Sequence, residues 1–375
     1  MVLPSSGPLS LSNIQTEFGG VNPIAISEYY GAATGVPASG TIAISDFYGT
    51  SSVITADFGY IVGGIKTIFS PSATNAGAKF TFSTQTFSAI PNYPQPTIYE
   101  NAGLQSIPNG YGYFGGGTAP PGLTNTVVRI QFSNNTYSVV PGSAPHTFQS
   151  AGVYSGDDDG FYIGGFSQNN NTNKVTRIQF SNETLSAGNN LPSARGDFTT
   201  LESLDYGYIC GGRINLFVPG PTFPSFVVIT EDDTQRFDKS TETTSAIPAT
   251  TPQNIADYYA TFNPSYGFII SGFTSPPSGA NPLPFVRNVR RLDYSNETFS
   301  SPGALIPQAI YSASGVQDIS DYGWVMGGNP GSVPPSPGAL PGSIRRYDLT
   351  NNTFATPGTV PTAYGRQRQG TCNGR

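Results

Sequence analysis

The densest groups of chemistry-bearing side chains are two acidic runs, Asp157-Asp158-Asp159 and Glu231-Asp232-Asp233. Clustered carboxylates can ligate calcium, and two at a set separation can hydrolyse a glycosidic bond. No pairing between the runs is visible in the sequence, and acids at turns and on solvated faces account for them better. The single histidine, His146, lies in "PGSAPHTFQS" with no nucleophile motif around it. One histidine rules out a His-rich metal site and leaves a Ser-His-Asp or Cys-His arrangement only that one residue. Cys210 and Cys372 lack CxxC or similar metal spacing and read as small core residues of strands. No catalytic residue, metal or cofactor is therefore expected, and the chain does not read as an enzyme.

The elements that would position any site come from composition and repetition. The 375 residues are 11 % charged and 12 % aromatic, with 45 Gly and 33 Pro. That is a turn-rich composition with too many aromatics for disorder. A net charge of -6 without basic runs gives no electrostatic footprint for nucleic acid or for an anionic membrane. The opening "MVLPSSGPLSLSNIQTEF" has neither a basic start nor an apolar run long enough for a signal peptide or a membrane span. Membrane insertion is not expected, and synthesis in the cytoplasm of the producing cell is.

One phrase returns six times: "DFGYIVGG", "GYGYFGGG", "DGFYIGG", "DYGYICGG", "SYGFIISG" and "DYGWVMGG". Its marker glycines, Gly59, Gly112, Gly160, Gly207, Gly267 and Gly323, recur with a period near 50. Downstream of each lies a second phrase, such as "RIQFSNNTYS" or "RLDYSNETFS". It alternates apolar and polar residues and then turns at S-N-x-T, where Asn tolerates a left-handed backbone. A strand-like run also precedes each marker. Every unit thus reads as four antiparallel strands: a before the marker, b the marker, c beginning with a basic residue, and d after the turn. The marker strand, apolar throughout, belongs in the middle of its sheet, and its closing Gly pair is expected to let strands approach closely where the ring narrows.

Six such units form a β-propeller. The first unit lacks a full strand a, and the tail "YGRQRQGTCNGR" supplies one, so residues about 365 to 374 are expected to close the ring and remove its open edges. The Gly-Gly strand, the R-x-D pattern of "RRLDYSNETF" and "RRYDLTNNTF", and the period resemble the Kelch family over about residues 52 to 375. Where that family usually carries Trp in strand d, this chain has Phe87, Tyr137, Leu185, Thr244, Phe299 and Phe354. The copper-radical oxidases of that type of fold need histidine ligands that one histidine cannot supply. The fold expected is all-β: a six-bladed Kelch-like β-propeller over residues 51–375, closed by the C-terminal strand and preceded by a small N-terminal attachment segment, residues 1–50.

That segment carries a different repeat, "LSLSNIQTEFGG", "IAISEYYG" and "TIAISDFYG". It is too short for a large core and is expected to dock onto something. Its "LPSSGPLSLSNIQTEFG" opening and "ISDFYG" unit resemble the N-terminal region of virion structural proteins of tailed bacteriophages, especially cyanophages. The resemblance implies a tail fibre or other appendage component. A shared attachment segment would bind other tail or baseplate proteins, and a variable C-terminal domain would be carried outward. Homo-oligomerisation is compatible with it, although no coiled-coil repeat enforces one.

The a–b and c–d turns are short and uniform, whereas the b–c loops are long, Pro-rich and different from one another. Function sits where a rigid scaffold carries variable loops. Phe217, Phe223, Phe226 and Phe285 on these loops, with Tyr93 on a d–a loop, could stack on sugar rings, and Asn169, Asn170 and Asn171 could bond hydroxyls. The expected ligand is a host-surface glycan or lipopolysaccharide; packing of the same residues onto the scaffold is the plainer alternative. The basic residues opening strand c, Lys79, Arg129, Arg177, Arg236, Arg291 and Arg346, could form an anion channel, but pairing with acids or carbonyls between blades is the better account. A purely structural or decorating subunit and a polysaccharide depolymerase are the competing functions.

Overall fold

The computed structural model describes residues 3–4, 6–18, 22–30, 36–37, 39–50, 58–66, 73–95, 97–106, 109–156, 158–167, 170–203, 205–218, 225–251, 256–274, 285–318, 321–330, 342–361 and 370–374. Of 215–218, 225–230, 330, 370–372 and 374 only the backbone is described. The chain divides into two compact units, Met1–Thr55 and Ala56–Arg375.

In the first unit the helix Leu11–Phe18 starts at Ser10, whose backbone N–H donates to Asn13 Oδ1 (2.9 Å) while Asn13 N–H donates to Ser10 Oγ (3.2 Å). This reciprocal pairing satisfies two orphan donors, as a capping box does. The "ISEY" and "ISDF" motifs are 3-10 turns, Ile26–Tyr29 and Ile44–Phe47. Each is closed by its acid: Glu28 accepts from Ala25 N–H (3.3 Å) and Asp46 from Ala43 N–H (2.8 Å). Ile14, Tyr29 and Phe47 meet in a small core with Leu3 and Val36, where Tyr29 and Phe47 pack edge to face at 6.1 Å.

The second unit is a six-bladed β-propeller, six antiparallel sheets of four strands each, joined in the order a-b-c-d. Blade 4 is representative, with strands Thr199–Glu202, Tyr206–Cys210, Thr234–Asp238 and Thr243–Ala246. Blade 1 takes its strand a from the C-terminus: Gly370–Gly374 pairs with Phe58–Val62, Gly59 opposite Asn373. The ring closes as the tail sequence predicts.

Neighbouring blades lock through the marker glycines. A Cβ on Gly207 would lie 2.2 Å from the Tyr154 ring, one on Gly267 2.5 Å from Leu201, one on Gly160 2.7 Å from Leu104, and one on Gly59 2.4 Å from Val316. In each case the intruding side chain is the third residue of strand a in the preceding blade. The glycine is a socket for that side chain. The residue following the socket, such as Tyr60, Tyr113 or Tyr208, stacks on an aromatic of the next blade (Phe132, Phe180, Tyr294) at 5.3, 5.3 and 5.2 Å. Trp324 does the same with Phe82 at 4.6 Å across the closing seam. Offset ring pairs add to the burial of their area.

The closing Gly pair differs from expectation. Both residues have positive φ, for example +63° at Gly116 and +90° at Gly117. They form a left-handed turn whose second N–H donates to the loop entering the next blade: Gly64 to Ile98 O (2.7 Å), Gly117 to Phe148 O (2.7 Å) and Gly165 to Arg195 O (2.9 Å). Glycine adopts this turn most readily, and in blade 5 Ser271 takes the first position with φ 64°.

Around the axis, the fourth residues of the a strands form a hydrogen-bonded belt. Gln105 N–H donates to Ser155 Oγ, Ser155 N–H to Glu202, Phe262 N–H to Gln317, Gln317 N–H to Asn373, and Asn373 N–H back to Gln105, at 2.9–3.1 Å. The belt breaks where Phe262 offers no acceptor to Glu202.

If the socket is a steric lock, Gly267→Ala destabilises the protein by about 1–3 kcal/mol through overpacking and Leu201→Ala by about 2–5 kcal/mol through cavity formation. The double variant then loses less than the sum, by about 1 kcal/mol in a denaturant-unfolding cycle. Strict additivity would contradict the lock.

Candidate functional site

The strand-c cations do not line a channel. Arg129 binds Glu183 (2.6 Å), Arg177 binds Glu242 (3.1 Å) and Asp159 (2.7 Å), and Arg236 binds Glu297 (2.9 Å). Each glutamate belongs to the c–d hairpin of the next blade. It occupies the x position of the turn, and it is this x residue, not the preceding Asn, that takes the left-handed conformation (φ 57° at Glu183, 54° at Glu242, 53° at Glu297). Lys79, Arg129, Arg236, Arg291 and Arg346 also sit 3.3–4.7 Å over the ring that opens their own strand b. Arg129, Arg177 and Arg236 thus pair between blades as expected, while the ring contacts of Lys79, Arg291 and Arg346 lie within their own blades.

The acidic runs are likewise structural where described. Asp159 is bound by Arg177, and Asp233 takes both Nη1 and Nη2 of buried Arg195 at 2.7 and 2.8 Å. Asp232 contributes its backbone carbonyl to Thr251 (2.7 Å), and burial raises the Glu231 pKa. Asp157 lies outside the described residues. His146 contacts Thr176 Oγ1 at 3.2 Å, and burial lowers its pKa. Cys210 is buried and free, its thiol pushed up to about 12 by desolvation. The Asn of the S-N-x-T turns accepts from the Thr two residues on, as Asn134 does from Thr136 at 3.0 Å.

Of the residues expected to stack on sugars, Tyr93 is 1 % exposed, packed edge-on against Phe114 and Tyr137 with its hydroxyl donating to Phe114 O (3.3 Å). It belongs to the core between blades 1 and 2, so its assignment to a ligand face is corrected. Phe285 is half-buried and already stacked on Tyr311 at 5.3 Å. Asn171 donates to Arg213 O (2.9 Å), whereas Asn170, opposite Ser167 in a two-residue ladder, is exposed. Phe217 and Phe226 face each other across the hairpin formed by Arg213–Val218 and Ser225–Thr230. Asn169 and Phe223 lie outside the described residues, as do the side chains of Phe217 and Phe226. Among the described side chains, Tyr93, Asn171 and Phe285 are thus already engaged within the scaffold.

What the structure does gather is a set of residues absent from the expected site. Immediately before strand a, blades 2 to 6 place Glu100, Ser150, Asp197, Asp257 and Ser312 at equivalent register, all with φ between 48° and 58°. They ring the long-loop mouth of an axial channel of about 260 Å3. Their backbones are linked: Ser150 N–H to Glu100 O (2.8 Å), Asp257 N–H to Asp197 O (2.8 Å) and Ser312 N–H to Asp257 O (3.3 Å). The sixth position by sequence count, Arg368, lies outside the described residues. Repeated polar residues two places before strand a were the available signal, but only the register aligns them.

The ring is electrostatically loaded. Arg213 Nε holds Asp197 at 2.6 Å, while Asp257 accepts from Ser312 N–H (2.9 Å) and Ser312 Oγ (2.5 Å). Burial outweighs Arg213 and raises the Asp197 pKa. For Asp257, burial and then the charge of Asp197 lift the carboxyl to about 7. One carboxyl that keeps its proton near neutrality beside one bound to a guanidinium can exchange a proton with a ligand or accept a cationic one. Among the described residues, no group of three or more His, Cys, Asp or Glu is placed to hold a metal ion. No helix among them is long and apolar enough to cross a membrane.

No known family's sequence model matches this chain, and no curated protein matches its sequence at a significant level.

Because the folded Asp257 binds its proton more tightly than the unfolded chain does, its contribution to stability is complete below about pH 4 and is lost as pH rises through about 7. The charged groups facing it are Asp197 and Arg213, with the Tyr311 phenol beside them. Asp257→Asn, which mimics the neutral carboxyl, should therefore gain in Tm relative to the natural protein as pH rises from about 5 to about 8. A Tm difference independent of pH would contradict the assignment.

Proposed function

We propose that this protein is a bacteriophage virion component, part of a tail fibre or similar appendage. In this reading residues 1–50 attach it to other virion proteins, and a Kelch-like propeller presents its long-loop face to a host-surface glycan or lipopolysaccharide. The observation that carries the binding role is the contrast between the two faces of the ring. The c–d hairpins keep one pattern, S-N-x-T or a close variant, and repeat one inter-blade linkage. The b–c connections share neither length nor sequence, and run through "GTAPPGLTN", "FSQNNNTNK" and "RINLFVPGPTFPSFV". A uniform face is explained by holding the scaffold together; a diverse face on a rigid frame is what recognition requires. The small N-terminal unit, with its own core, suits an anchor, and the likeness of its sequence to phage attachment regions supports the virion assignment.

Added free, the intact protein should compete with phage for adsorption to host cells. Phe223→Ala combined with Phe226→Ala should weaken that competition at unchanged Tm. Competition that is absent with the natural protein would overturn the receptor-binding role and leave a decorating subunit. Competition unchanged in the double variant would remove this hairpin from the binding face.

A further inference from the structure

We propose that the long-loop mouth of the axial channel binds a small protonated amine flanked by hydroxyls, the chemistry of an amino-sugar unit. Three kinds of observation support this. First, Asp197, Asp257 and Ser312 line one side of that mouth from three successive blades, linked backbone to backbone, so hydrogen-bond acceptors cluster there. Arg213 neutralises Asp197 by a direct contact of 2.6 Å, and the direct contacts to Asp257 come from the Ser312 backbone and hydroxyl, which carry no charge.

Second, Asn101, next to Glu100, lines the same channel at 5 % exposure, and neither its Oδ1 nor its Nδ2 has a partner. A buried amide with both ends unsatisfied is costly unless something completes it, and a ligand carrying hydroxyls would do so. Third, the channel is narrow: from the mouth at Asp257 to the belt at Gln317 it encloses about 260 Å3, below the roughly 300–1,000 Å3 of drug-sized sites, which suits a small occupant.

The proposal rests on the reading of this face as the receptor-binding one and names the chemistry it recognises. It also relocates the recognition centre from the loop aromatics to the axis. The loops then serve as walls around a polar well.

The test is titration of the full-length protein with glucosamine, N-acetylglucosamine and glucose, followed by NMR or calorimetry at a pH near the titration of Asp257, where its carboxylate and the sugar ammonium are both populated. Glucosamine should bind, and N-acetylglucosamine and glucose, which lack the ammonium, should bind at least about tenfold more weakly. Asp257→Asn and, separately, Asn101→Ala should each reduce glucosamine affinity by about tenfold, with Tm confirming that both variants fold. No binding of glucosamine, equal binding of the three sugars, or affinity unchanged in Asp257→Asn would each overturn the proposal. Its failure is distinct from that of the wider reading: if free protein still blocks adsorption while glucosamine does not bind, only the axial site falls.

Discussion

A missing side chain holds the propeller together. At five of the six marker glycines, the third residue of the preceding blade's inner strand fills the vacated space: Val316 at Gly59, Leu104 at Gly160, Tyr154 at Gly207, Leu201 at Gly267 and Thr261 at Gly323. The contact recurs around the ring and joins blades that share no backbone ladder. It also sets the depth at which neighbouring sheets meet, and the other inter-blade contacts follow from that depth. The aromatic after the socket reaches the next blade's strand c, the strand-c guanidinium reaches the next hairpin's glutamate, and the Gly-Gly turn reaches the incoming loop. Apolar burial supplies most of the driving force, while the polar linkages fix the register at which it occurs.

Much of this architecture was legible because a repeat exposes its own constraints. Period, strand alternation and the unpaired tail sufficed for the number of blades, the a-b-c-d order and the closure of Gly370–Gly374 onto Phe58–Val62. The basic residues of strand c could be assigned to inter-blade pairing, but not to particular partners. Their partners sit about one repeat away at the x of S-N-x-T, a position that local reasoning treats as filler. The Gly-Gly pair was recognised for its size, whereas its positive φ and its hydrogen bond to the next blade depend on a loop distant in sequence.

The site was legible only in its general location, the long-loop face. Tyr93 reads like any exposed loop aromatic, yet the d–a loop turns inward and buries it against Phe114 and Tyr137. The acids that stand out in sequence, such as Asp159 and Asp233, do so by clustering, and clustered acids here are bound by Arg177 and Arg195. Asp197 and Asp257, isolated in sequence, become neighbours because equivalent positions of adjacent blades meet at the axis. Radial symmetry turns a spacing of about one repeat into a hydrogen bond of 2.8 Å. That proximity, together with burial, gives Asp257 its altered acidity.

The central claim, that the ring is one interlocked body closed by its C-terminal strand, is tested most directly by hydrogen exchange on a chain ending after Pro361. Without strand Gly370–Gly374, the amides of Tyr60 and Val62 should lose protection, and the blades on either side of the seam, including Trp324 and Val325, should become less protected with them. Protection in blades 1 and 6 that is unchanged by the truncation would contradict the account.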